Sequence, residues 1–452
     1  DVEMGMGMED RIFNVFACES VEGSNTLYAH LAGNSPAAAP DHILAVDGAT
    51  GYLYGSAGIR DLARYVHAPK DNSQGPGTSF LTPLGDFSAL TLEDNGTPTN
   101  FSDDFYVRRM KHGTMHFFNL QGLETRVEDR NGNAFTFAYI DADGDGKAEE
   151  ISDITTPVGG HFTFNYSGGK IASITDPTGR ITTLTVDASG NLAQILSPDG
   201  SSRSFQYDAN HLLTTQTNPR GYSTTYQFDT FSAITQSVQP GGATNTFSPA
   251  AKVALVDPAS GQGTEMNPAP AVHYDNYKGS FTNAVGGTRS YKLNAASATT
   301  RFTSAGGTIT ETNRDDNDLP TSQTQPNAVV SNYTYDPMGN LLTATHVGVD
   351  QGQDVTSSST YDPEFNHVIS HTDPLGRVRQ YTYDSKGNLT RITEPSGHQT
   401  NFTYDSRGLL TSKTDAMGNT WSYTYTASGN LAAEVDPLGN VTSYAYSAAG
   451  NL

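Results

Sequence analysis

The chain has 452 residues, with 48 acidic against 26 basic side chains and a formal net charge of -22. That balance argues against nucleic acid as a partner, because phosphate binding needs clustered Lys and Arg. A single cysteine, Cys18, excludes an intrachain disulfide and a multi-cysteine zinc site, and no apolar run is long enough to span a membrane as a helix.

Residues 1–105 carry no repeat and read as a β-rich cap or plug. Ile12 to Phe16 and Tyr52 to Tyr54 have strand character, and Ile59, Leu62, Ala63 and Val66 fall at the spacing of a short helix over 58–67. Residues 69–98, with four prolines and several glycines, read as loop and irregular β-structure. The chain opens on Asp1 and closes at Gly450-Asn451-Leu452, inside a repeat, so a processed or excised piece is the expectation.

Residues 106–242 form a first repeat block, which includes an acidic loop at 141–150. Residues 243–290 read as an insertion or degenerate repeats, and 291–452 as a second block. In the first block Gly179, Gly200, Gly221 and Gly242 recur every 21 residues, with Asp187, Asp208 and Asp229 between them. In the second, Gly376, Gly397, Gly418 and Gly439 keep the same step of 21, as do Tyr383, Tyr404, Tyr425 and Tyr446. Residues 345–358 read as a lengthened hairpin loop, because Asp336 and Asp362 are 26 apart.

Each repeat contains two strand signals and two turn signals. In Tyr381-Thr382-Tyr383 the rings sit at i and i+2, on one face of a strand. Asp384-Ser385-Lys386-Gly387-Asn388 has Asp where a turn opens and Gly where a positive φ closes it. Leu389 to Ile392 return, and Glu394-Pro395-Ser396-Gly397 makes the second turn. One hairpin is marginal in water, but stacked hairpins cover one another's edges. An accumulating twist curls a long sheet. The fold class expected is therefore all-β, a tandem hairpin array forming a spiralling, hollow shell.

The pattern Tyr-x-Tyr-Asp-x-x-Gly-Asn-Leu followed by Asp-Pro-x-Gly, as in the segment Tyr361 to Leu389, resembles the YD repeat of bacterial Rhs proteins, toxin-complex shells and teneurins. The resemblance covers about residues 110–452. It implies a β-shell around an interior that in many relatives holds a C-terminal toxin. Those relatives also carry a self-cleaving aspartyl segment after the repeats, to which nothing in these residues corresponds.

One local motif points to chemistry of its own. Asp141-Ala142-Asp143-Gly144-Asp145-Gly146-Lys147-Ala148-Glu149 places acids at alternate positions, as a calcium loop does. The expected ligands for a structural Ca2+ are Asp141, Asp143, Asp145, the Lys147 carbonyl and Glu149, with Glu150 as the competing acid. Ser152 stands where an EF-hand has its bidentate Glu, so the motif resembles instead the shorter loops inserted in extracellular β-proteins. The pairs His112/His116 and His367/His371 lie in strand-like sequence, where i and i+4 stand about 13 Å apart, and read as surface histidines. Asp315, Asp316 and Asp318, and the repeated Asp362, Asp384 and Asp405, read as turn residues; Cys18 reads as buried, and no Gly-x-Ser-x-Gly elbow is present. The expectation is a non-enzymatic, secreted or cell-surface scaffold. Its partner would be an encapsulated or C-terminal polypeptide; the alternatives are a glycan-binding or adhesion surface and a self-assembling fibre subunit.

Overall fold

The computed structural model describes residues 85–97, 100, 102–230, 232–248, 277–294, 298–350, 352–447 and 452. Before these it gives the backbone of strands Val15–Ser20, Leu27–Leu31, Leu44–Asp47, Thr50–Tyr52, Val66–His67 and Ser79–Leu81. The described residues are all-β, without a helix. Val66–His67, where a helix over 58–67 was expected, is a strand paired with Gly51–Tyr52 and with Phe80–Leu81. The rest of that segment lies outside the described residues, as does the side chain of Cys18, whose strand pairs with Leu27–Leu31.

The repeat folds as its turn chemistry dictates. Strand Val378–Tyr383 runs antiparallel to Leu389–Thr393, with Tyr381 opposite Ile392 and Tyr383 opposite Leu389. A one-residue shift between Thr382 and Tyr383 marks a bulge. The Gly387 N–H donates to the Asp384 carbonyl at 3.0 Å, and Gly387 has φ +78°. This is a type I turn followed by a left-handed residue, a common three-residue hairpin connection; the bulge lies beyond it in the ladder. The next turn returns the chain, and Leu389–Thr393 pairs on its other edge with Gln399–Tyr404.

Two compact units are present. One comprises described residues within 184–334 and 343–356, the other those within 11–183, 335–342 and 357–452. In the first, strand Thr244–Ser248 pairs with Tyr277–Thr282, setting the rings of Phe247 and Phe281 5.2 Å apart. The hairpin pattern thus holds at both ends of the expected insertion, and 249–276 lie outside the described residues. Residues expected to form a long loop after Asp336 instead extend two strands, Leu341–Asp350 and Gln353–Tyr361. Gly352 (φ +83°) lies between them, and the hydroxyls of Thr345 and Thr356 meet at 2.9 Å.

Burial alternates along the strands. In Thr420–Tyr425 the rings of Trp421, Tyr423 and Tyr425 are half-buried, while Thr420, Ser422 and Thr424 are exposed. His161–Ser167 shows the same division, with Phe162, Phe164 and Tyr166 on the half-buried face. Among the described residues only Leu90, Leu92, Phe118 and Phe365 are buried apolar side chains. A sheet sandwiched against a second layer would bury a far larger set.

Candidate functional site

The Tyr-Asp pair has a double structural role. Tyr404 donates its hydroxyl to the Leu389 carbonyl at 2.9 Å, and Tyr425, Tyr383, Tyr166 and Tyr139 do the same to the residue 15 positions earlier. Each ring therefore ties its strand to the start of the preceding one, satisfying a carbonyl beside the bulge. The Asp closes the turn. Asp384 Oδ1 accepts the N–H groups of Lys386 and Asn388, both at 2.9 Å, and Oδ2 accepts the Asn388 side chain at 3.0 Å. This arrangement recurs at Asp187, Asp336, Asp415 and Asp436, each with Asn four residues on. In Asp436 the Asn440 side chain and backbone N–H hold the carboxyl below its ordinary range.

Within the second unit these turns also meet turns some 255 residues away. The tip at Arg109–Thr114 sits on the turn at Asp362–His367. Arg109 Nη2 donates to the Glu364 carbonyl at 3.1 Å, Asn366 Nδ2 to the Lys111 carbonyl at 3.0 Å, and His112 Nδ1 to the Phe365 carbonyl at 2.9 Å. The buried Phe365 ring lies where a side chain on Gly113 would be. One turn further, Asn131 and Asn388 exchange side-chain hydrogen bonds at 3.3 and 3.0 Å, and Lys386 Nζ donates to the Asn131 carbonyl at 3.2 Å. Asn131 also packs over Gly408, and Asn133 Nδ2 donates to the Arg407 carbonyl at 2.9 Å.

The seam contains a basic cluster. The rings of His112 and His367 stack 5.9 Å apart at 13°, Arg130 Nη1 lies 3.3 Å from His367 Nε2, and the Tyr383 ring is 4.9 Å from His367. Arg130 Nε and His367 Nδ1 are buried without a hydrogen-bond partner. The seam thus joins one histidine from each of the two pairs noted in the sequence. The two histidines stand 255 positions apart, which conceals that meeting from any local reading.

The acidic loop gathers three carboxylates. Oxygens of Asp141, Asp143 and Glu150 lie within 4.8 Å of one another. Asp141 accepts the N–H groups of Gly144 and Gly146 at 2.7 and 3.0 Å, and Glu150 Oε2 accepts that of Ala142 at 3.0 Å. Glu149 and Asp145 stand outside this group. Glu150 opens the strand that pairs it with Ile140 at the loop's base, and Glu149 lies just before that strand. Asp145 instead binds Lys147, through the backbone N–H at 2.8 Å and Nζ at 3.3 Å, and that backbone hydrogen bond keeps its carboxyl below the usual range. Gly169 of the next hairpin lies against Asp143, where a Cβ would clash.

The RHS Repeat family profile matches residues 186–221, 207–244, 314–348, 361–399, 404–441 and 425–452, which include Tyr383, Tyr404 and Tyr425. The chain carries Rhs repeats over these residues. Comparison with curated proteins gives no match. Among solved structures, a crystal structure of TcdB2-TccC3 with Cdc42 aligns with a TM-score of 0.37 and 13% identity, over 80% of this chain and 22% of that one. The Photorhabdus luminescens Tc holotoxin pore aligns with a TM-score of 0.29 and 13% identity, over 85% of this chain and 27% of that one. The chain spans about a quarter or less of the TcdB2-TccC3 chain.

Rhs turn chemistry absorbs the remaining acids. Asp315 accepts the N–H groups of Asn317 and Leu319 at 3.0 and 2.9 Å, and Asp318, at φ +62°, accepts Asn294 Nδ2 at 2.6 Å. His116 and His371 bond within their own sheet, to Glu124 at 2.6 Å and Ser359 at 3.0 Å. No helix of the described residues is long and apolar enough to cross a membrane.

Proposed function

We propose that this chain is a wall segment of a secreted Rhs-type shell, which encloses or displays another polypeptide. The observation that carries the reading is the aromatic face. Rings such as Tyr423, Tyr425, Phe162 and Phe164 stand at half burial with almost no buried apolar core behind them. A sheet with one apolar face left half-open is built to be covered from that side. The repeated acids are turn caps, which gives the chain a scaffolding role and not a catalytic one. The polypeptide complexes named for the TcdB2-TccC3 structures agree with a polypeptide as occupant. Electron microscopy of the purified chain tests the reading. Density one sheet thick with solvent on both faces is expected; a solid two-layer sandwich, its sheets about 10 Å apart, would overturn it.

In this reading the acidic loop holds a structural calcium ion through Asp141, Asp143 and Glu150, with Asp145, Glu149 and the Lys147 carbonyl of the original ligand set completing the shell on binding. Three carboxylates held close together repel, and a hard divalent cation relieves that repulsion while using oxygen ligands. The ion would fix the end of the hairpin Ala134–Ile140 and Glu150–Thr155.

A further inference from the structure

We propose that His112, Arg130 and His367 form an acid-sensitive latch, in which protonation of His367 parts the turn row at 109–133 from the row at 362–388. The inference goes beyond the shell reading and holds whatever the wall covers.

The closed seam fixes a protonation state. Arg130 Nη1 faces His367 Nε2 at 3.3 Å, and a guanidinium only donates hydrogen bonds. Nε2 must therefore accept, so the ring proton sits on Nδ1, which is buried and unpartnered. His112 is fixed as well, because the Phe365 carbonyl can only accept from its Nδ1. Adding a proton to His367 turns Nε2 into a donor facing a donor. It also places a positive charge beside Arg130 and against the stacked His112 ring.

The groups around the imidazole do not offset this. From its own turn, Asp362 is attractive, but its carboxylate already accepts the N–H groups of Glu364, Phe365 and His367. From the strand behind, Tyr383 contributes a ring and not a charge. From the neighbouring turn, the field of Asp384 falls on Arg130. From the opposing tip come Lys111, whose carbonyl accepts Asn366, and Arg109, 5.7 Å from the Phe365 ring. Burial first, and Arg130 second, hold His367 below its ordinary value of 6.5.

The sign follows from linkage. An open seam returns His367 to its ordinary value near 6.5, whereas the closed seam holds it lower. Above that pH both states are neutral and the seam keeps its full stability. As pH falls from there towards the closed-state value, the opening constant rises by up to about tenfold per pH unit. Opening would release the Asn131–Asn388 and Arg109–Glu364 contacts together, because both flank the cluster.

Amide hydrogen exchange of the intact chain, corrected for intrinsic rates, tests the latch at about pH 7.5 and about pH 5. Peptides spanning 109–133 and 362–388 should exchange about tenfold faster at the lower pH, with a peptide over 420–443 unchanged. His367→Gln keeps an acceptor towards Arg130 and cannot be protonated, so its seam should stay closed at both pH values. Should that variant already be open near neutrality, Arg130→Gln decides: a weakened acid response supports the latch, and an undiminished one overturns it. A wild-type seam indifferent to pH, or a closed His367→Gln seam that opens with acid as the wild type does, also overturns it.

Discussion

Tyr404 and Asp405 divide the closure of one hairpin corner between them. The Tyr404 hydroxyl holds the Leu389 carbonyl, while Asp405 holds the N–H groups of Arg407 and Leu409. Tyr404→Phe keeps the ring and should cost about 1 kcal/mol, read from urea unfolding, since one hydrogen bond is lost and one carbonyl is left partly unpaired. The turn acids give the array an acid limb. In Asp384, burial raises the pKa, but the Asn388 and Lys386 donors outweigh it and the net shift is downward. A carboxyl depressed in the folded state contributes stability above its unfolded value, near 3.8, and loses it as pH falls through the lower folded one. Asp384→Asn retains an acceptor oxygen without the charge, so its acid limb, followed by tyrosine fluorescence, should be flatter than that of the wild type. The sequence made the Asp legible, because donor and acceptor lie within four residues. It showed the Tyr only as a face, since its carbonyl partner lies across a strand.

Hairpins add a second set of demands on the same glycines. Gly397 and Gly408 both need positive φ, +84° and +80°, so either loses about 1–2 kcal/mol on replacement by Ala. A Cβ at Gly397 meets open space, whereas one at Gly408 would enter the Asn131 side chain. Gly408→Ala should therefore cost about 1–3 kcal/mol more than Gly397→Ala, compared by thermal unfolding of the two variants. The two glycines close opposite turns of the repeat, and only the Gly408 turn is covered, by a turn hundreds of residues earlier. The strands and their step were readable from period-two alternation and Asp-x-x-Gly turns. The seam was not, and His112 and His367 were each judged against a neighbour four residues away instead of against each other. The segment after Asp336 misled for the opposite reason: its length pointed to a loop, while the extra residues lengthen two strands on either side of Gly352.

At the scale of the whole molecule, a net charge of -22 makes self-repulsion a general load on the folded chain. Any cation should lighten it, so stabilisation by calcium alone would not identify a site. Monovalent salt at about 0.5 M shortens the Debye length to a few ångströms and removes most of the non-specific part. Against that background millimolar calcium should still raise the melting temperature if Asp141, Asp143 and Glu150 act together, and magnesium, which keeps its waters and a stricter octahedron, should raise it less. Asp143→Asn should abolish the calcium increment while leaving the salt increment intact. That variant preserves the acceptor for the Asp145 N–H, at 3.1 Å in the wild type, so the loop keeps its own hydrogen bonds. If the increment vanishes in salt, or persists undiminished in Asp143→Asn, the loop is an acidic hairpin end. Alternating acids could be read from the sequence, but the choice of Glu150 over Glu149 required the register that sets Glu150 opposite Ile140.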